Sequence, residues 1–190
     1  MTDRDAIVAA FDATAALHRE WARAHAEGLE RAAGLITAAL NRGGRVLSFG
    51  NGGSATDAQH LAAELVGRFM TERRALPAQA LTADTAILTA LANDYGYDAV
   101  FVRQVEAHGR AGDVAVGITT SGASANVTRA LVWARELGLA TIALTGKDGG
   151  ETGRVVDVHL NVPSDSTPRI QEVHRTILHV LCELIDKGLQ

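Results

Sequence analysis

Apolar residues recur every three to four positions from Asp5 to about Leu40, at Ile7, Phe11, Ala15, Leu17, Trp21, Leu29, Ala32, Leu35 and Ile36. That period places them on the stripe of one or two amphipathic helices, with Gly43-Gly44 as the stop. Beyond Gly44 the pattern changes. Short apolar runs at 46–49, 79–81, 114–118, 140–144 and 156–162 read as strands, and helical patterns occupy 57–69, 85–93, 100–107, 125–137 and 170–185. Strands that alternate with helices predict an α/β fold, a parallel sheet covered by helices on both faces. The expected organisation is one domain over residues 1–190, with a helical arm at 1–43 and an α/β core at 44–190. The arm's apolar stripe must be buried, and packing on the core or bundling between subunits would each achieve this.

Composition narrows the partners. With a formal net charge of -4, no basic run and only two lysines, Lys147 and Lys187, the chain lacks the electrostatic footprint of a nucleic-acid binder. A small anion remains possible through local N–H groups and a few arginines. The single cysteine, Cys182, sits in an apolar run and reads as a buried, reduced thiol. No segment approaches the ~20 apolar residues that span a bilayer, and the N-terminus lacks a basic stretch followed by an apolar one, so a cytoplasmic protein with no membrane partner is expected.

In parallel α/β sheets ligands bind beyond the carboxyl ends of strands, near a switch in strand order. Two loops fall there. The first, Gly50-Asn51-Gly52-Gly53-Ser54, leads into a helix carrying His60 and Glu64. Glycines allow close backbone approach, and a helix N-terminus attracts negative charge through its free N–H groups. His60 and Glu64, four apart, share one helix face and can share a metal ion or a proton; an exposed i,i+4 pair is the plainer alternative. The second loop, Thr119-Thr120-Ser121-Gly122-Ala123-Ser124, offers four hydroxyls at a helix start. Helix capping would account for one hydroxyl, whereas a phosphate cradle without lysine would use all four.

The last helix carries Arg169, Gln171, Glu172, His174 and His179. Glu172 and His174 fit surface positions. His179 interrupts the apolar run 177–181, either as a packed core histidine or as an ionisable group beside a dry surface. Asn93-Asp94-Tyr95-Gly96 is either a simple turn or a carboxylate aimed at the site, and Lys147-Asp148-Gly149-Gly150 reads as a surface turn.

Together, the glycine loop, Asp57-Ala58-Gln59-His60 through Glu64, Asn93-Asp94, Thr120-Ser121-Gly122, the run from Leu144 to Gly150 and Arg169-Ile170-Gln171-Glu172-Val173-His174 resemble the sedoheptulose 7-phosphate isomerase (phosphoheptose isomerase) family over nearly the whole chain. The resemblance implies the sugar-isomerase (SIS) fold, a three-layer α/β/α sandwich with a five-stranded parallel sheet, in a homotetramer with active sites at subunit contacts. It implies conversion of D-sedoheptulose 7-phosphate into D-glycero-D-manno-heptose 7-phosphate, the first step toward nucleotide-activated heptoses. By the same resemblance Glu64 is the base and His179 the acid. His60, Glu64, Gln171 and His179 bind one Zn2+ per subunit. Asn51, Gly52, Gly53, Glu64, Asn93, Asp94, Thr119, Thr120, Ser121, Ser124 and Gln171 contact substrate, and Arg68 adds charge near the phosphate. Three positions depart from the family pattern. Thr119 replaces a serine, Ala123 replaces an asparagine amide, and Pro168 stands where some members carry an aspartate.

The implied chemistry suits these residues. Moving a carbonyl from C2 to C1 needs a base to take the C1 proton, an ene-diol, and reprotonation at C2. Gln171 and His179, however, are eight residues apart, about 12 Å of rise on a straight helix. Either Gln171 lies in an irregular first turn or two subunits complete the metal site. A non-catalytic SIS relative of the replication-initiator-binding type would lack the Glu64/His179 pair. A sensor or isomerase for another sugar phosphate would lack the combination of His60, Glu64, Gln171 and His179.

Overall fold

A capping box opens the first helix: the Asp5 N–H donates to Thr2 Oγ1 at 3.2 Å and the Thr2 N–H donates to the Asp5 carboxylate at 2.9 Å. The structure, a computed structural model, describes residues 1–189. From the cap, α1 (Asp3–Asn41) runs 39 residues without a break, so the arm is one helix rather than two. Its two halves differ. Trp21, Leu29, Ala32, Ala33, Ile36, Ala39 and Leu40 are buried, whereas Ile7, Val8 and Phe11 are exposed. Trp21 therefore belongs to the chain's own core, and its indole N–H donates to the Asn161 carbonyl at 2.7 Å.

The five strands are β1 (Val46–Gly50), β2 (Ala78–Ala80), β3 (Val114–Thr119), β4 (Ala140–Gly146) and β5 (Val158–Val162). They lie in the order β2-β1-β3-β4-β5, every pair parallel. The chain steps outward from β1 to β2 and then returns to place β3 on the other side of β1. This is the switch in strand order, and it sets the loops after β1 and β3 side by side.

Side chains alternate across the sheet with period two. Val46, Val116, Ile118, Ile142, Leu144 and Leu160 face one core, closed by α1, α2 (Gly53–Val66) and α6 (Thr167–Gly188). Leu47, Phe49, Ala115 and Ala143 face the other, under α3 (Thr85–Tyr95), α4 (Val102–His108) and α5 (Ala125–Glu136). The result is the expected three-layer sandwich.

Several boundaries move for local reasons. α2 starts at Gly53, four residues before the expected start, because Gly52 at φ 57° turns the chain directly into the helix. It ends at Val66, before Gly67, so Arg68 and Phe69 lie beyond it. α6 starts at Thr167 because Pro168 sits in the first turn, where its missing N–H costs nothing. β5 begins at Val158, just after Asp157, whose carboxylate accepts the Thr141 N–H at 2.9 Å and its hydroxyl at 2.8 Å. Among the described residues no helix is long and apolar enough to cross a membrane.

Candidate active site at the switch between strands 1 and 3

After β1 the glycine loop leaves the sheet, and Gly52 occupies a left-handed conformation that few other residues adopt. Asn51 is clamped in this loop. It exchanges two amide hydrogen bonds with Asn126 of α5, at 2.9 and 3.0 Å, and accepts the Tyr97 hydroxyl at 3.1 Å. Tyr97 follows the exposed Asn93 and Asp94, whose side chains bond each other at 2.7 Å. It ties that helix end to the glycine loop.

The hydroxyl loop lies alongside. Thr119 is buried, and its Oγ1 lies 3.2 Å from Ser121 Oγ and 2.9 Å from Ser124 Oγ. Ser124 is the N-cap of α5, yet its side chain makes no capping hydrogen bond. Its hydroxyl faces Thr119 instead, so simple capping does not explain the cluster. Three hydroxyls and the amino end of α5 converge on one place, with Thr120 half-buried beside them. That is the donor set an anion needs. Arg68 does not join it. The arginine lies past the far end of α2, exposed and 3.6 Å from Glu72, beyond about 20 Å of helix from Gly53.

α2 and α6 place the titratable groups. The two helices meet at matching intervals: a Cβ on Gly53 would collide with the Gln171 amide, Asp57 meets Arg175, and His60 meets His179. Helical side chains lean toward the N-terminus, so the Glu64 carboxylate reaches back to 3.1 Å from His60 Nε2. His60 Nε2 is also 3.0 Å from His179 Nε2, and the His179 ring lies between those of His60 and Phe69, at 5.0 and 5.6 Å. Beside them an open cleft of about 570 Å³ is lined by Gly53, Asp57, Gln171 and Arg175, with His18 of α1 at its edge.

Arg175 and Asp57 complete this layer, although the sequence reading gave neither a role. Arg175 Nη2 lies 2.6 Å from the buried Asp57 carboxylate, and Nη1 lies 2.6 Å from His60 Nδ1. Burial raises the Asp57 pKa despite the attraction of Arg175, and burial together with that guanidinium lowers the pKa of His60. A guanidinium only donates, so His60 Nδ1 accepts and the neutral ring carries its proton on Nε2, facing Glu64 and His179. The signal for Arg175 was its spacing, four residues after Gln171 and four before His179. His174 departs from expectation in the other direction. It is fully buried rather than at the surface, with Nε2 donating to the Thr145 carbonyl at 2.8 Å and, among the described residues, no partner for Nδ1. Cys182 is buried as expected, and burial pushes its thiol up to about 12, which removes it as a nucleophile.

The metal donors divide. His60, Glu64 and His179 each offer one ligand atom, all within 4.8 Å of one another. The separations of 3.0 and 3.1 Å from His60 Nε2 are close to the ~3.3 Å expected between tetrahedral ligands of Zn2+. An N, N, O set of this kind suits that ion, provided the His60 proton moves from Nε2 to Nδ1 and Arg175 gives up its contact there. Gln171 stands apart, at Gly53, about 10 Å along α2 from His60, and the first turn of α6 that holds it is regular.

Comparison with known proteins fits this geometry. Residues 11–146 match the SIS domain family. The phosphoheptose isomerase of Geotalea daltonii is 60% identical over 155 residues, covering 82% of this chain and 81% of that protein. The chain belongs to the phosphoheptose isomerase family of SIS-domain proteins. Solved members share the fold throughout. The phosphoheptose isomerase of Neisseria gonorrhoeae superposes with a TM-score of 0.92 at 47% identity, over 98% of this chain and all of that one. The Francisella tularensis phosphoheptose isomerase gives 0.94 at 41% identity, with the same coverage.

Proposed function

We propose that the protein is a ketose–aldose isomerase that converts D-sedoheptulose 7-phosphate into D-glycero-D-manno-heptose 7-phosphate, the opening step of nucleotide-activated heptose synthesis. The observation that carries this reading is the convergence of His60, Glu64 and His179 within 4.8 Å, one helix away from a phosphate-type cradle. About 10 Å of rise separates Gly53 from His60. A seven-carbon phosphate ester in extended form bridges that span, with its phosphate at Thr119, Thr120, Ser121 and Ser124 and its carbonyl end at Glu64. Asn51, Gly52, Gly53, Asn93, Asp94 and Gln171 line the path of the chain.

Glu64 then removes the proton from C1, and the electron pair forms the C1–C2 double bond of an ene-diol. Return of a proton to C2 completes the aldose. His179, on the opposite helix, donates to and accepts from the two oxygens as the carbonyl moves. Phe69 packs against one side of its ring and steadies it for these transfers. His60, Glu64 and His179 would hold a zinc ion, with Gln171 supplied by a second subunit as a further ligand, and the ion would polarise the sugar oxygens when bound.

The further expectations are a cytoplasmic homotetramer with one domain per chain. Exposed Ile7, Val8 and Phe11 in the first turns of α1 support assembly through this arm, with sites completed at subunit contacts. Incubation with sedoheptulose 7-phosphate in deuterated water tests the activity. Aldose should form with deuterium incorporated at C2, and absence of turnover would reject the proposal.

A further inference from the structure

The hydroxyl loop is held from behind by two buried threonines that belong to neither the glycine loop nor the hydroxyl loop. Thr152, in the 3-10 turn Thr152–Arg154, is fully buried, and Thr128 of α5 is nearly so. Both the N–H and the hydroxyl of Thr152 donate to the Gly122 carbonyl, at 3.0 and 2.8 Å. Thr128 Oγ1 lies 2.7 Å from Thr152 Oγ1 and 3.2 Å from the Ser124 carbonyl. Each hydroxyl has one proton. Thr152 spends its proton on Gly122, and Thr128 shares its own between the nearer Thr152 oxygen and the Ser124 carbonyl, so the three groups form a chain ending on the loop.

The consequence follows from the trans peptide, in which C=O and N–H point in opposite directions. With the Gly122 carbonyl held inward by two donors, the next N–H, that of Ala123, must point outward, and it donates to Ser121 Oγ at 3.2 Å. Gly122 itself sits at φ 66° against the backbone of Gly149 and Gly150, where a Cβ would collide. The turn at Lys147–Gly150, expected to be a plain surface feature, therefore backs the loop.

We infer that Thr152 and Thr128 are positioning residues that fix the Gly122–Ala123 peptide, so that the Ala123 N–H holds the Ser121 oxygen and the Ser121 hydroxyl proton is left for a bound phosphate. The inference rests on reading the hydroxyl loop as the phosphate site. Neither threonine touches the sugar, so loss of the brace weakens binding without removing an acid or base.

Thr152→Val keeps the shape and the backbone bond and deletes only the hydroxyl. Direct titration with inorganic phosphate should give a dissociation constant about tenfold weaker than wild type, or about 1.4 kcal/mol of binding, because the loop no longer holds its donors in place. KM for the sugar phosphate should rise by a similar factor with kcat within about twofold. Thr152→Ser should restore both. Thr128→Val should shift both in the same direction by less, which keeps the test open if Thr152→Val is poorly folded by thermal melting. Unchanged phosphate affinity and KM in a folded Thr152→Val, or equal losses in Thr152→Ser, would overturn the proposal. Wild-type phosphate binding unaffected by Ser121→Ala would overturn it as well. Wild-type phosphate binding that falls in Thr152→Val, in an enzyme without heptulose turnover, would uphold the brace and reject only the substrate assignment.

Discussion

Acidification should unfold this protein in part through one residue, His174. Its imidazole is fully buried, donates through Nε2 to the Thr145 carbonyl and, among the described residues, has no partner at Nδ1 to share a second proton. Burial lowers its pKa from 6.5 to about 4. The unfolded chain therefore holds more protons than the native one between these values, and stability rises with pH across that window. The contribution is complete above about pH 6.5 and is lost as pH falls toward 4. At 1.36 kcal/mol per pH unit the whole window is worth about 3.4 kcal/mol, of which about 1.4 is lost by pH 5.5 and about 2.5 by pH 4.5. For a chain of this size 2.5 kcal/mol lowers the melting temperature by roughly 5–10 °C. His159 is also held below its ordinary pKa by burial, so the wild-type curve alone does not isolate His174. His174→Gln does, because the Gln amide can donate to the same carbonyl but does not titrate. Thermal or denaturant unfolding of both proteins between pH 4 and 8, at one protein concentration so that assembly is constant, gives the difference in slope. The wild type should lose about one proton's worth of stability per pH unit more than the variant across the window. Parallel curves would refute the argument, whatever the absolute stability of His174→Gln.

Glu64→Gln and His179→Gln should each cut turnover by about 10²- to 10⁴-fold or more while leaving phosphate binding largely intact; a variant that keeps above about a tenth of wild-type rate loses its catalytic role. Ser121→Ala and Ser124→Ala should weaken binding of the ketose and aldose phosphates together with little change in melting temperature, since each removes a donor from a loop rather than volume from the core. Removing residues up to Gly28 would test the arm poorly, because it strips Trp21 and its 2.7 Å bond to Asn161 from the chain's own core. Ile7→Lys with Phe11→Lys changes only exposed positions, and it should lower the oligomeric state seen by light scattering together with activity; a wild type that is monomeric and fully active would contradict the assembly.

Local signals carried most of the fold. Period-two and period-three-to-four patterns are set by backbone geometry, so strands and helices were readable wherever an apolar face was continuous, and the two glycine- and hydroxyl-rich loops announced themselves by composition. Helix ends were less legible: Gly52, Gly67 and Pro168 decide them through one or two dihedral angles that periodicity does not encode. The paired residues of the site were visible singly. Their partners were not, because α2 and α6 are separated by about a hundred residues and only their side-by-side packing brings His179 to His60 or Arg175 to Asp57. The same holds for His174 and Trp21. A histidine or a tryptophan on a helix has a sequence-defined face, but whether that face meets solvent, a partner or the sheet depends on where the helix docks. Thr152 and Thr128 are the extreme case, two ordinary residues in sequence that only tertiary contact turns into the backing of a loop.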